Sequence, residues 1–207
     1  MKPALPPKVL MLIVPWSPQS DAENLLQKVA MALAGGVNWL MLRIHDLPAS
    51  VCIDIASELR RMARQTATLF SVNPYPVLAE WVEADGVHLP EHALEHPLAP
   101  SPNRLLGYSV HSEESAPRAV AAGADYLLVG TMYPTSSHPN KSPEGIPLMR
   151  AIARAVSVPL IAVGGITPER VSPCLQAGAI GVAVISGILG SPNPSLSAQA
   201  YWSRLVE

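Results

Sequence analysis

Gly123-Ala124-Asp125-Tyr126-Leu127-Leu128-Val129 is the stretch whose reading decides the fold. A glycine supplies the positive φ that ends a helix, a polar residue follows, and an apolar run then reads as a buried strand. The construction recurs as Gly35-Gly36-Val37-Asn38-Trp39-Leu40-Met41-Leu42, and as Gly178-Ala179-Ile180-Gly181-Val182-Ala183-Val184-Ile185. In Glu83-Ala84-Asp85-Gly86-Val87-His88-Leu89 an acidic turn replaces the leading glycine. These copies make strands two, four, six and eight. Between them Val9–Val14, Thr68–Val72, Arg104–Ser109 and Val158–Val163 read as the odd strands. Helical periodicity fills the gaps at Ala22–Leu33, Val51–Arg64, Glu113–Ala122, Pro147–Ala155 and Pro168–Ala177.

Strands alternating with helices imply parallel strands joined by right-handed crossovers. The expected fold is α/β, a single-domain TIM (β/α)8 barrel over residues 1–207, leaner than the usual ~250 residues. An open doubly wound sheet would carry a glycine-rich loop after strand one. Pro15-Trp16-Ser17-Pro18 stands there instead.

Composition agrees with a buried parallel sheet. Hydrophobic residues make up 49% of the 207, with a single Phe, and charged residues only 14%. A net charge of −2 gives no electrostatic footprint for nucleic acid or an anionic membrane. Two cysteines without a CxxC pair suit a reducing compartment, so a cytoplasmic location is expected. Val9–Val14 lacks the cleavage pattern of a signal peptide, and Val171–Ser191, though uncharged, is interrupted by Pro173, Gln176 and glycines.

Two turns carry the strongest chemical signal. Val163-Gly164-Gly165-Ile166-Thr167-Pro168 ends strand seven and opens a helix, and Val184-Ile185-Ser186-Gly187-Ile188 ends strand eight and opens a short one. Glycine lets the backbone approach an oxyanion, free N–H groups at a helix start attract negative charge, and barrels hold phosphate after these two strands. Gly164, Gly165, Ile185 and Ser186 are therefore the expected phosphate binders. Pro134 to Pro147, the longest aperiodic stretch, lies on the same face and reads as a functional loop.

Across nearly its whole length the chain resembles the thiamine phosphate synthase/TenI family. The resemblance rests on Met41-Leu42-Arg43, Asp85-Gly86-Val87-His88-Leu89, Gly107-Tyr108-Ser109-Val110-His111, Gly123-Ala124-Asp125-Tyr126, Gly130 through Thr135, Gly164-Gly165-Ile166 and Gly181 through Ser186, in this order and spacing. It implies a phosphorylated thiazole as ligand, seated at Gly165, Ile185 and Ser186. Thr135 and Ser137 match hydroxyl residues of the same end, and Arg43, Ser109 and Thr131 complete the expected substrate-binding set.

The half of the site that the resemblance assigns to a pyrimidine diphosphate departs from the synthase pattern. Q-L-R-x-K reads Met41-Leu42-Arg43-Ile44-His45, and N-D-R reads Asn73-Pro74-Tyr75. G-Q-x-D reads Pro90-Glu91-His92-Ala93, and T-x-T-K reads Thr135-Ser136-Ser137-His138. Both magnesium-binding aspartates are absent, so neither metal nor other cofactor is expected. The pattern is closer to the TenI branch, whose implied activity is the aromatising tautomerisation of a thiazole carboxylate phosphate. Such an isomerase needs a proton carrier with a pKa near the working pH. The branch places its histidine where this chain has Thr131, so His138 and His45 are the expected carriers.

Three readings follow: a TenI-like thiazole tautomerase as the main one, thiamine phosphate synthase as the enzymatic alternative, and a non-catalytic thiazole phosphate-binding protein. Self-assembly is left open. His88 is expected to be structural, Glu91-His92 a solvated turn, Trp16, Trp39 and Tyr75 packing residues, and Asp46 and Glu144 surface charges.

Overall fold

The computed structural model describes residues 1–45, 47–135 and 143–207. Its strands are β1 (Val9–Trp16), β2 (Trp39–Ile44), β3 (Leu69–Asn73), β4 (Gly86–Leu89), β5 (Leu105–Val110), β6 (Tyr126–Val129), β7 (Leu160–Val163) and β8 (Gly181–Val184). They pair in chain order, all in parallel, and β1 pairs back onto β8 through Val9 with Gly181 to Leu12 with Val184. The barrel is closed, as the alternation of strands and helices required.

Side-chain alternation divides the core into two layers. Val9, Met11, Ile13, Trp39, Met41, Leu105, Tyr126, Leu128, Ile161 and Ala183 fill the barrel interior. Their neighbours Leu10, Leu12, Val14, Leu40, Leu42, Leu106, Leu127 and Val182 face outward beneath the helices. Both layers must be apolar, which is why these strands read as continuous runs.

The helices are α1 (Ala22–Ala34), α2 (Ile53–Gln65), α3 (Pro76–Trp81), α4 (Ser115–Ala121), α5 (Gly145–Ala155), α6 (Pro168–Gln176), α7 (Ser186–Leu189) and α8 (Pro194–Val206). Short 3-10 turns precede α2 and follow β4. The recurring helix-to-strand joint has one geometry. Gly36, Gly123 and Gly178 take positive φ of 106°, 88° and 111°, and Glu83 does the same work at 51°. Asn38, Asp85, Asp125 and Ile180 then each donate the backbone N–H to a carbonyl of the preceding odd strand, at Leu10, Phe70, Leu106 and Leu160. In the first three the side chain also accepts the N–H of that same strand residue, at 3.0, 2.9 and 2.8 Å. The polar residue before each of those strands is thus a clip between neighbours.

α3 and α8 are helices the sequence reading left out. α3 is too short to show periodicity. α8 did have a start signal: Asn193 caps it by accepting the Leu196 N–H at 3.1 Å, with Pro194 at the first helical position. No described helix is long and apolar enough to cross a membrane.

Candidate active site

Parallel strands put all eight C-terminal ends on one rim, and a cavity of about 420 Å³ opens there. Its floor is the top of the interior layer: Ile13, Met41, Leu128 and Ala183. Its wall comes from the loops and last residues of strands around the ring.

One side of the wall is built from the turns after β7 and β8. Gly164 and Gly165 take φ of 100° and 62°. A Cβ on Gly165 would stand 2.5 Å from the Pro134 carbonyl oxygen and 2.7 Å from that of Tyr133, so the β6 loop is packed directly on its backbone. Arg170 holds the turn from below: its guanidinium donates to the Gly165 carbonyl at 2.7 Å and stacks 4.5 Å from the centre of the Tyr133 ring. Across from it, Ile188 and Leu189 make the first backbone bonds of α7, both to the Ile185 carbonyl. That leaves the Ser186 and Gly187 N–H groups at the helix start without intrahelical acceptors. Both turns line the same cavity, which suits a phosphate.

The opposite side carries Arg43, Asn73, Glu91, His92 and His111. Burial lowers the Arg43 pKa from its ordinary value, and no carboxylate offsets that cost. The guanidinium has no hydrogen-bond or ion-pair partner among the described residues, so it is a positive charge held ready for an anion. Asn73 donates to the His88 carbonyl at 2.8 Å, and Glu91 accepts the His111 N–H at 3.2 Å. His111 Nδ1 lies against the Gly130 carbonyl. A magnesium site does not fit this side. Glu91 is the only carboxylate on the cavity wall among the described residues, and one of its oxygens is already engaged. No cluster of three His, Cys, Asp or Glu suited to a metal occurs among the described residues. Pro74 and Ala93 stand where the resemblance called for acidic ligands.

Of the expected site residues, Arg43, Ser109, Thr131, Thr135, Gly164, Gly165, Ile185 and Ser186 come together on the cavity wall. His45 does not. β2 ends at Ile44, so the inward alternation stops one residue short, and His45 is exposed and outside the lining. His138, Ser137 and Asp46 lie outside the described residues. Several lining residues went unrecognised as such. Glu91 and His92 were expected on a solvated turn, yet the 3-10 turn after β4 carries both onto the wall. Glu144 was expected as a surface charge, but it accepts the Thr131 N–H at 2.6 Å and so braces the wall from behind. Neither role has a local sequence signal, since both depend on what the rim brings near.

Comparison with known proteins narrows the reading. The family profile described as thiamine monophosphate synthase matches residues 10–188. A thiamine-phosphate synthase of Moorella thermoacetica is 36% identical over 178 residues, covering 84% of this chain and 85% of that one. A putative thiamine-phosphate synthase of Geobacter sulfurreducens is 37% identical over 191 residues, covering 90% of each. Among solved structures, the thiamine phosphate pyrophosphorylase of Pyrococcus furiosus superposes with a TM-score of 0.79 at 29% identity, covering 95% of each chain. These relatives correct the main functional expectation. The loss of the magnesium aspartates argued for a TenI-like tautomerase, an isomerase. The relatives carry the synthase name instead and favour the alternative. The missing carboxylates were too narrow a basis, because an unpaired Arg43 still leaves that side of the cavity able to meet an anion. With the closed barrel, the family profile over residues 10–188 and these relatives, the chain belongs to the thiamine monophosphate synthase family.

Proposed function

We propose that this chain is a transferase of the thiamine-phosphate synthase type, joining a thiazole phosphate to a pyrimidine diphosphate with release of diphosphate. One observation carries the reading: a single cavity has an anion-ready feature on each of two sides. The turns at Gly164-Gly165 and Ser186-Gly187 take the phosphate of the thiazole. Arg43 takes the diphosphate of the pyrimidine, where the developing negative charge of the leaving group needs a fixed cation. The apolar floor of Ile13, Met41, Leu128 and Ala183 supports the two rings and keeps water from the bond being formed. Ser109, Thr131 and Thr135 supply polar contacts to the ring edges. No step is assigned to a metal, since the wall lacks the carboxylates to hold one.

The test is direct. Purified protein is incubated with the thiazole phosphate and the pyrimidine diphosphate, and thiamine phosphate and pyrophosphate are quantified together. Equal amounts of the two products support the reading. Binding of the thiazole phosphate with neither product formed overturns it.

A further inference from the structure

The turn after β7 has its carbonyls engaged and its N–H groups unused. The Val163 carbonyl accepts the Met132 N–H and the Gly164 carbonyl accepts the Tyr133 N–H, each at 3.0 Å. The next carbonyl, that of Gly165, has no backbone donor among the described residues. It accepts instead from the guanidinium of Arg170, in the first turn of α6, at 2.7 Å. Neither the Gly165 N–H nor the Ile166 N–H has an acceptor among the described residues. The Arg170 head is itself held, because it lies 4.5 Å from the centre of the Tyr133 ring while it donates to the carbonyl. Gly165 and Ile166 line the cavity, and Arg170 does not.

A trans peptide sets its C=O and its N–H in opposite directions. The Gly165–Ile166 bond is trans. With the Gly165 carbonyl drawn toward a group outside the lining, the Ile166 N–H is turned the other way, to the cavity. Nothing within the turn enforces that choice. Gly165, at a φ of 62°, has no Cβ to restrict its torsions. A rotation of the peptide plane by half a turn would exchange the two groups and present an oxygen to the cavity. A phosphate there would then meet the negative end of a dipole in place of a donor. That rotation breaks the bond to Arg170, and a hydrogen bond from a charged donor is stronger than a neutral one. Glycine is required at 165, since a Cβ would meet the Pro134 and Tyr133 carbonyls. The rigidity that glycine lacks must therefore come from outside the turn.

We propose that Arg170 is a positioning residue that locks the Gly165–Ile166 peptide from behind the wall, holds the Ile166 N–H toward the cavity, and so gives the site its preference for a phosphorylated over an unphosphorylated ligand. Arg170 acts through the peptide and does not touch the ligand. That the phosphate is carried by a thiazole rests on the synthase reading above; the orientation of the peptide does not.

Proton–nitrogen NMR of the full chain, titrated with inorganic phosphate, reads the peptide directly. The Ile166 amide proton should move downfield as phosphate is added. An Ile166 amide left unmoved overturns the proposal, and this measurement needs no variant. Arg170→Met can still cover the Tyr133 ring but offers no donor, and the Ile166 shift should be lost in it. Calorimetry then compares the thiazole phosphate with the corresponding thiazole alcohol. Arg170→Met should bind the phosphate about tenfold more weakly, the size of one lost hydrogen bond, and the alcohol within about twofold of wild type. Arg170→Lys keeps a charged donor and should recover most of that loss. Equal losses for phosphate and alcohol would make Arg170 a support of the fold alone and refute its action on the peptide. Unchanged phosphate affinity in Arg170→Met, or a lysine as weak as methionine, would refute the lock. A wild-type protein whose Ile166 amide responds to inorganic phosphate but which does not bind the thiazole phosphate counts against the synthase reading and leaves this one standing.

Discussion

Gly165 and Arg43 stand on two sides of one cavity, and each has a separable consequence. Gly165→Ala would push a methyl group into the Pro134 and Tyr133 carbonyls and force a residue with a Cβ to hold a φ of 62°. The turn must shift, so affinity for the thiazole phosphate should fall at least about tenfold. A calorimetric titration with that ligand measures it, and unchanged affinity would remove the turn from the site. Arg43→Gln keeps much of the side-chain length and removes the charge. It should weaken binding of inorganic pyrophosphate about tenfold or more while thiazole phosphate affinity stays within about twofold. An equal loss for both ligands would mean that the two sides do not divide the substrates. Because Arg43 is half-buried with no charge partner among the described residues, the same variant should not destabilise the fold in urea.

At the level of the element, the clip before an even strand is the unit that repeats. Asp125 accepts the Leu106 N–H and also pairs with Lys2 at 2.8 Å. Asp125→Ala leaves a buried strand N–H without its acceptor, a cost of about 1–3 kcal/mol. Asp125→Asn keeps an acceptor and loses only a partly exposed ion pair, so its cost should stay below about 1 kcal/mol. Urea unfolding of the two variants distinguishes them, and equal losses would assign the effect to Lys2. These joints are also where the sequence was most legible. Glycine or an acidic turn, a polar residue and a short apolar run are all local features, and they were enough to count eight strands and close the ring. The turns after β7 and β8 were legible for the same reason, since Gly164-Gly165 and Ser186-Gly187 directly follow those two strands and both line the cavity. The facing side was legible only in part. Arg43, Ser109 and Thr131 were expected there and line the cavity, but Glu91 and His92 reach the wall through the 3-10 turn after β4, and His45 missed the cavity because β2 stops one residue earlier than its alternation suggested. α3 was lost to shortness rather than to ambiguity.

For the whole molecule, the neutral His88 in the barrel ties stability to pH. Its folded pKa of about 3 lies below the ordinary histidine value of 6.5, so between those values the unfolded chain binds the proton that the folded chain refuses. Stability from this group is complete above about pH 6.5 and declines as pH falls toward 3. Urea midpoints compared at about pH 7.5 and about pH 4.5 should show wild type losing more than His88→Gln, which has no such proton to take up. Parallel losses would assign the acid sensitivity elsewhere.

The pairing of β1 with β8 has a further consequence, for how the chain is made. β1 leaves the ribosome before the other seven strands of the barrel, and one of its two neighbours is the last of the eight. Through most of translation the nascent chain therefore carries an unpaired apolar strand edge, the kind of surface that invites aggregation or a chaperone. A ribosome stalled anywhere before Gly181 releases a product with two raw edges, and a quality-control protease meets it as an open chain rather than as a smaller protein.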